Sequence, residues 1–368
     1  MRILHIDPDD IDNPLSGGGP VRTLEIYRRL TRRHEVTVLT PTFPGSTPEK
    51  IRDGIRYIRL GRRIGDHGSS HHITYFFALP RAVRCYDHDL MVEDFMPPAA
   101  VAANPLFTNA PVIGSVQWFN TRTLAKQYRL PFHWIEAVGL HFYKNLICVS
   151  EANARTLRQS IPRATVKVIP NGIDESLFQV DGRLGEYILY LGRVDLFRKG
   201  VGLLLDAYAL LPEANRPELV IAGFGYEFDK VRAKISELGL TGSVRLVGRV
   251  DEAGRCKLLA GCRFICFPSR EEMFGMVITE ACAAARPVIY WDLPPMNEIA
   301  DKAGCIAVPP FDVAAYAAAM RDLVEAPDEE ILARGRACRA RVQNYRWDAI
   351  ASEQEEFYLE RMSRVTQR

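Results

Sequence analysis

Two glutamates and three cations carry most of the chemistry that this 368-residue sequence offers. Glu272 and Glu280 lie in Pro268-Ser269-Arg270-Glu271-Glu272-Met273-Phe274-Gly275-Met276-Val277-Ile278-Thr279-Glu280-Ala281. An apolar run, Phe264-Ile265-Cys266-Phe267, enters this stretch and an alanine-rich segment up to Ala285 leaves it, so it reads as strand, loop and helix. A helix turns by about 100° per residue, so the two carboxylates converge only if Glu272 lies in the loop and Glu280 well inside the helix. A capping box, with Ser269 as N-cap and Glu272 reaching back to its amide, is the alternative use of the same residues. It would put Gly275 inside the helix at a cost of about 1 kcal/mol. A start near Phe274-Gly275 instead leaves bare amides that an anion can approach closely. Arg193, Arg198 and Lys199 crowd the residues before another helical segment, Val201 to Leu211. Positive charge there is unfavourable by about 0.3–1 kcal/mol per group, which makes sense where an anion binds among them. An exposed basic loop is the competing explanation.

A third anion-binding candidate is Ser16-Gly17-Gly18-Gly19-Pro20, after the first strand. It is not the dinucleotide fingerprint, because the third glycine of G-x-G-x-x-G is missing and the turn from Asp7 is long. Glycines followed by proline at a helix start still present bare amides; a flexible surface loop is the alternative. Glu93 and Asp94 end the run Asp89–Phe95, and Gln117 ends Pro111–Gln117, which places all three at carboxyl ends of strands. Arg62, Arg63, His67, His71 and His72 cluster around Ser69-Ser70, a polar segment that reads as a loop.

These residues need a frame, and the chain supplies an alternation. Strands are expected at Arg2–Asp7, Glu35–Pro41, Ile55–Gly61, Asp89–Phe95, Pro111–Gln117, Leu146–Ser150 and Val166–Pro170. Helical patterns fall at Pro20–Arg33, Ile73–Tyr86, Phe132–Tyr143 and Glu151–Ser160. Such alternation predicts a parallel sheet covered on both faces, with ligands at the carboxyl ends of the strands. Asp89 is expected to open its strand at the far side of the sheet from Asp7. Val168-Ile169-Pro170-Asn171-Gly172-Ile173-Asp174 ends a strand in a Pro-Asn-Gly turn, and a second α/β series begins at Tyr187–Arg193. We therefore expect domains at 1–172 and 173–345, with a C-terminal helix over 346–368 and a cleft between the lobes. Trp347, Phe357 and Tyr358 are the residues that could anchor that helix.

Composition narrows the class. With 47% hydrophobic and 25% charged residues the chain reads as a soluble enzyme. Asp7 interrupts the first apolar residues too early for a signal peptide, and no apolar run is long enough to span a membrane. The eight cysteines lie mostly in apolar runs and read as buried thiols in a reducing compartment. Cys256, Cys262 and Cys266 lack the spacing of a zinc site. Residues 1–170 hold 22 Lys/Arg against 15 Asp/Glu, whereas the rest of the chain is net acidic. Arg28, Arg29, Arg32 and Arg33 at the end of the first helix contribute, and dipole capping accounts for them. No nucleic-acid motif accompanies this charge.

The pattern P-S-x-x-E-x-F-G-x-x-x-x-E-A resembles the E-x7-E signature of family 4, the retaining, nucleotide-sugar-dependent glycosyltransferases of the GT-B fold. Gly192-Arg193 with Lys199-Gly200, and the IPNGID wording at residues 169–174, match the same family. Met273 stands where members usually have a small residue. The resemblance implies an α/β fold with two Rossmann-like domains whose parallel sheets face a central cleft, and a last helix crossing back to the first domain. It implies transfer of a glycosyl group from a nucleoside-diphosphate sugar, UDP slightly favoured, to an acceptor hydroxyl on a glycan, glycolipid or small molecule. Arg193 and Lys199 would hold the diphosphate and Glu272 the donor-sugar hydroxyls. Glu280 would meet the ribose, Gly223 and Val250 would flank the nucleobase, and amides at Phe274, Gly275, Gly17 and Gly18 would assist the phosphates. Glu93, Asp94, Gln117, His71 and His72 would face the acceptor. Relatives often carry histidine where Gln117 stands, and glutamine cannot shuttle a proton. Asp7-Pro8-Asp9 and Asp87-His88-Asp89 spell D-x-D outside the setting in which that motif binds metal, so no metal and no cofactor is expected. Basic helices dock some relatives on anionic membranes, so a cytoplasmic protein with peripheral membrane contact through the first domain is the corresponding expectation. A nucleotide-sugar epimerase, with Glu93 or Asp94 as acid and base, and a non-catalytic sugar-nucleotide-binding protein share the same frame.

Overall fold

Strand formation begins with the buried run Ile3, Leu4 and Ile6, apolar on both faces as the inside of a parallel sheet requires. A computed structural model describes residues 1–14, 16–62, 70–95, 103–117, 132–180 and 183–366. It divides into two units: residues 1–172 with 347–368, and residues 173–346.

The first unit holds β1 (Arg2–Ile6), β2 (Glu35–Pro41), β3 (Glu49–Arg52), β4 (Ile55–Leu60), β5 (Leu90–Asp94), β6 (Val112–Val116), β7 (Asn145–Cys148) and β8 (Thr165–Val168). They form one sheet in the order β3-β4-β2-β1-β5-β6-β7-β8. All neighbours are parallel except β3 against β4. The sequence did not announce β3, whose Glu-Lys-Ile-Arg lacks an apolar face and pairs at the sheet edge. Asp89 also departs from expectation. It precedes β5, the direct neighbour of β1, and lies at the amino end of both, where its carboxylate accepts from the Arg2 amide at 2.7 Å. The order reverses at β1, so its carboxyl end is the crevice in which ligands of such sheets bind.

The first helix, Gly19–Leu30, starts with Pro20 in its first turn and Gly18 as N-cap. It ends earlier than expected, so Arg32 and Arg33 lie beyond it. Its basic end is held by ion pairs as well as by the dipole: Arg28 and Arg29 to Glu25, Arg29 to Asp348 and Arg33 to Glu355. Asp348 and Glu355 belong to the helix Trp347–Thr366, which packs on the first helix in this unit. Trp347, Phe357 and Tyr358 are all buried, with the Tyr358 hydroxyl 3.2 Å from that of Tyr27. Gly172 leaves room for Trp347; a Cβ there would lie 2.3 Å from the indole. Arg22, also buried, donates to Pro170 O, Asn171 Oδ1 and Gln354 Oε1, tying three segments of the unit together.

The second unit holds β9 (Tyr187–Leu191), β10 (Leu219–Ala222), β11 (Val244–Gly248), β12 (Cys262–Phe267), β13 (Val288–Trp291) and β14 (Ile306–Val308). They form a parallel sheet in the order β11-β10-β9-β12-β13-β14, again with its first strand at the reversal. Along β9, Ile188 and Tyr190 join one apolar cluster and Leu189 and Leu191 the other, one on each face. Two helices, Val313–Glu325 and Asp328–Arg341, follow the sheet within this unit. The turn after β13 contains a cis Pro294–Pro295 peptide. No helix among the described residues is long and apolar enough to cross a membrane.

Candidate functional site

In the second unit the loops after β9 and β12 bring the expected residues together. The helix after β12 runs Met276–Ala283 with Gly275 as N-cap at φ 90°, and no side chain caps it. Ser269 Oγ donates to Glu271 O, so the capping box is not formed. Glu272, left in the loop, accepts a hydrogen bond from Lys199 Nζ at 2.5 Å. The two loops are joined by Arg270 N donating to Arg198 O at 3.0 Å, and β13 anchors them through Trp291 Nε1 on Pro268 O at 2.7 Å. Gly200 permits the approach, since a Cβ there would lie 1.9 Å from Pro268 O. The Arg270 guanidinium sits between the rings of Phe197 and Phe311, 4.2 and 4.4 Å from their centroids. Arg193 is exposed, and Arg198 lies 4.0 Å from Glu271 with both largely in solvent.

Glu280 occupies a different position from Glu272. It is buried, and Arg255 on the helix Glu252–Gly261 donates to it at 2.7 Å. Burial raises its pKa, while Arg255 opposes that rise. Phe274 is buried and meets Tyr345 edge-on at 6.1 Å. Gly223 follows β10 at φ 143° with its α-carbon against Gly192 O, and half-buried Val250 packs against the core cluster containing Leu259.

In the first unit the carboxyl ends of β1, β5 and β6 enclose a small pocket lined by His5, Arg22, Thr23, Ile26, Tyr27, Asp94, Ser115, Gln117 and Gln354. Gln117 Nε2 donates to Asp94 Oδ2 at 2.6 Å, and His5 Nε2 lies 3.4 Å from Asp94 Oδ1. Asp7 accepts from Thr23 Oγ1 at 2.7 Å; burial, then the nearby Asp94, raises its pKa well above the carboxylate range. Gly17 N donates to Asp9 Oδ2 at 3.3 Å, and Gly18 is exposed. Glu93 faces away from any open surface: it is wholly buried, accepting from Asn104 Nδ2 at 2.9 Å and Tyr143 Oη at 2.7 Å. Ser70, His71 and His72 open the helix Ser70–Cys85 where a loop was expected, because the helix begins before Ile73. His72 is half-buried, and Arg62 N donates to Thr74 Oγ1 at 2.8 Å. Arg63, His67 and Ser69 lie outside the described residues.

Residues 16–177 match the family model described as glycosyltransferase family 4, and residues 185–326 match that described as glycosyl transferases group 1. The phosphatidyl-myo-inositol mannosyltransferase of Mycobacterium tuberculosis is 30% identical over 374 residues, covering 96% of this chain and 95% of that protein. The chain belongs to the family 4 glycosyltransferases. Its fold is that of GT-B enzymes. Sucrose-phosphate synthase from Thermosynechococcus elongatus superposes with a TM-score of 0.82 at 22% identity over 98% of each chain. Anabaena HepE, solved with UDP-glucose, gives 0.77 at 18% identity over 98% of this chain and 100% of its own.

Sequence reasoning about this glycosyltransferase missed Arg255, Arg270 and Trp291. Arg255 pairs with Glu280 across 25 positions, and no local pattern marks it. Buried Glu93 provides a test of the first unit. Burial raises its pKa to about 7, against hydrogen bonds from Tyr143 and Asn104 that lower it. The folded state thus holds a proton that the unfolded chain has released above about pH 4.5. Stability contributed by this group is full below that pH and is lost as pH rises to about 7, by about 3 kcal/mol. In urea titrations, Glu93→Gln is expected to remove that part of the slope between pH 4.5 and 7. An unchanged slope would show that Glu93 is ionised when folded.

Proposed function

We propose that this glycosyltransferase takes its sugar from a nucleoside-diphosphate donor and transfers it with retention to an acceptor hydroxyl. The observation that carries the reading is the Lys199–Glu272 pair at the carboxyl ends of β9 and β12, beside an uncapped helix terminus. The two side chains satisfy each other's charge. With donor bound, Lys199 and Arg193 would meet the diphosphate, together with the first amides of the Met276–Ala283 helix. Glu272 would be released to the sugar hydroxyls, and Glu280, oriented by Arg255, would take the ribose hydroxyls.

The anomeric carbon–oxygen bond breaks towards the diphosphate, whose gathering charge these fixed cations and amides stabilise. The acceptor oxygen bonds to the same face of that carbon, and its proton passes to a diphosphate oxygen. Side chains and amides meet the phosphate charge, so the reading assigns no metal or cofactor. Asp94 and Gln117, at the pocket of the first unit, would orient the acceptor; glutamine there holds a hydrogen bond and leaves no proton to shuttle. The name of the mycobacterial relative makes a lipid-linked polyol one acceptor to try, beside glycans and small molecules. Ile73 with Phe77, and Trp134 with Val138, are exposed pairs one helical turn apart, which supports peripheral membrane contact of a cytoplasmic enzyme. The epimerase alternative loses Glu93, whose oxygens are both occupied inside the core.

Incubation with a panel of UDP- and GDP-sugars, with and without polyol lipid in anionic vesicles, tests the proposal. Release of nucleoside diphosphate and a product of unchanged anomeric configuration are expected. An inverted product overturns retention, an epimerised donor restores the epimerase, and binding without turnover removes catalysis.

A further inference from the structure

Three cysteines distant in sequence meet inside the second unit. Cys282 lies near the end of the Met276–Ala283 helix, Cys305 immediately before β14, and Cys338 in the helix Asp328–Arg341. All three are buried and reduced. Cys305 Sγ is 3.5 Å from Cys338 Sγ and 3.9 Å from Cys282 Sγ, and all three sulfurs lie within 4.8 Å of one another. Sulfurs bound to one ion at about 2.3 Å stand about 3.8 Å apart, so little movement would bring these onto a common centre. Two further observations mark the spot. Gly304 leaves the room Cys338 uses, since a Cβ there would lie 2.3 Å from its sulfur. The hydroxyl of fully buried Tyr290, which packs in the same apolar cluster as the three cysteines, has no hydrogen-bond partner among the described residues.

We propose that Cys282, Cys305 and Cys338 form a binding site for a single thiophilic atom, of the class of trivalent arsenic. Thiolate sulfur selects soft centres, and the charge of the product chooses among them. The three thiols lie in one buried apolar cluster, and Arg339, next to Cys338 in sequence, is bonded to the backbone carbonyls of Ala283 and Val180. Zinc would release three protons and leave a net negative centre buried in an apolar cluster, which is costly. Arsenite reacts without leaving charge: As(OH)3 and three thiols give As(S-Cys)3 and three waters. Three arsenic–sulfur bonds replace three arsenic–oxygen bonds, each thiol proton leaves in a water, and no electrons are exchanged.

The test uses the full reduced chain, incubated with sodium arsenite a few degrees below its Tm, where the core opens, then freed of excess by gel filtration. Native mass spectrometry is expected to show one added arsenic less three hydrogens. Cys85→Ser, which changes an exposed cysteine, should retain this adduct. Cys305→Ser and Cys338→Ala should each lose it while keeping the circular dichroism of the folded chain. Because either variant could unfold, the unmodified chain provides an independent measure: zinc(II) offered in competition should not displace the arsenic. Absence of the adduct in the unmodified chain, its persistence in a folded Cys305→Ser variant, or displacement by zinc would each overturn the assignment.

Discussion

Replacing Lys199 by alanine is expected to lower turnover by about a hundred- to a thousandfold, the loss typical of one preorganised group on developing charge. Arg198→Ala should change it by less than about twofold, because an exposed, loosely paired cation contributes little. The contrast rests on geometry. Lys199 is held at 2.5 Å on Glu272 with part of its stem covered, whereas Arg198 reaches Glu271 only at 4.0 Å in solvent. Both cations adjoin the same helix start, so a diffuse basic surface would register the two changes alike. Binding of free nucleoside diphosphate to the full chain should weaken with added salt, and Lys199→Ala should weaken it further. The rate should fall more than the affinity, because charge on the leaving diphosphate grows as the glycosidic bond breaks. A nucleoside without phosphates should bind both variants as it binds the unmodified chain. Steady-state kinetics with titration calorimetry measures all of this, and equal effects of the two substitutions would remove the aimed cation.

Much of this frame was legible because its signals are local. Buried parallel strands announce themselves as apolar runs, glycine turns follow them, and two such series give two α/β domains, to which the resemblance adds the GT-B class. The helix start at Gly275 was likewise readable, since glycine in a helix interior is penalised and glycine at its N-cap is not. Other features are carried by residues remote in sequence. Nothing near Glu93 indicates that Asn104 and Tyr143 will enclose it, so a carboxylate at a strand end looked available to ligand. Glu280 with Arg255, and Arg270 between Phe197 and Phe311, are pairings made by the sheet order. The three converging thiols show the same limit: each sits in an ordinary apolar run, and only the packing of two helices against the start of β14 joins them. Edge strand β3 failed for the opposite reason, since its polar residues obey backbone pairing without any apolar pattern.

Glu272→Gln separates the two roles left to the loop carboxylate. Transfer should fall by about a hundredfold or more, if the carboxylate grips sugar hydroxyls more strongly in the transition state than in the bound donor. Binding of free nucleoside diphosphate should instead tighten a few-fold, recovering the roughly 0.2–1 kcal/mol of a partly exposed ion pair that no longer has to be broken. The opposite signs are diagnostic, because Lys199 and Glu272 engage each other and a diphosphate would compete for the same lysine. A purely structural glutamate would lose activity and affinity together. The Tm should stay within a few degrees, since Ser269 and Glu272 form no capping box and the helix begins at Gly275 without a side-chain cap. Combining Glu272→Gln with Lys199→Ala closes the cycle. The double variant should bind nucleoside diphosphate no better than Lys199→Ala alone, because the gain from freeing the lysine requires the lysine. Its turnover should lie well above the product of the two single losses, as for groups that act as one unit. Tighter binding in the double variant would show that Glu272 repels the ligand directly, and full activity in Glu272→Gln would place the sugar contact on another residue.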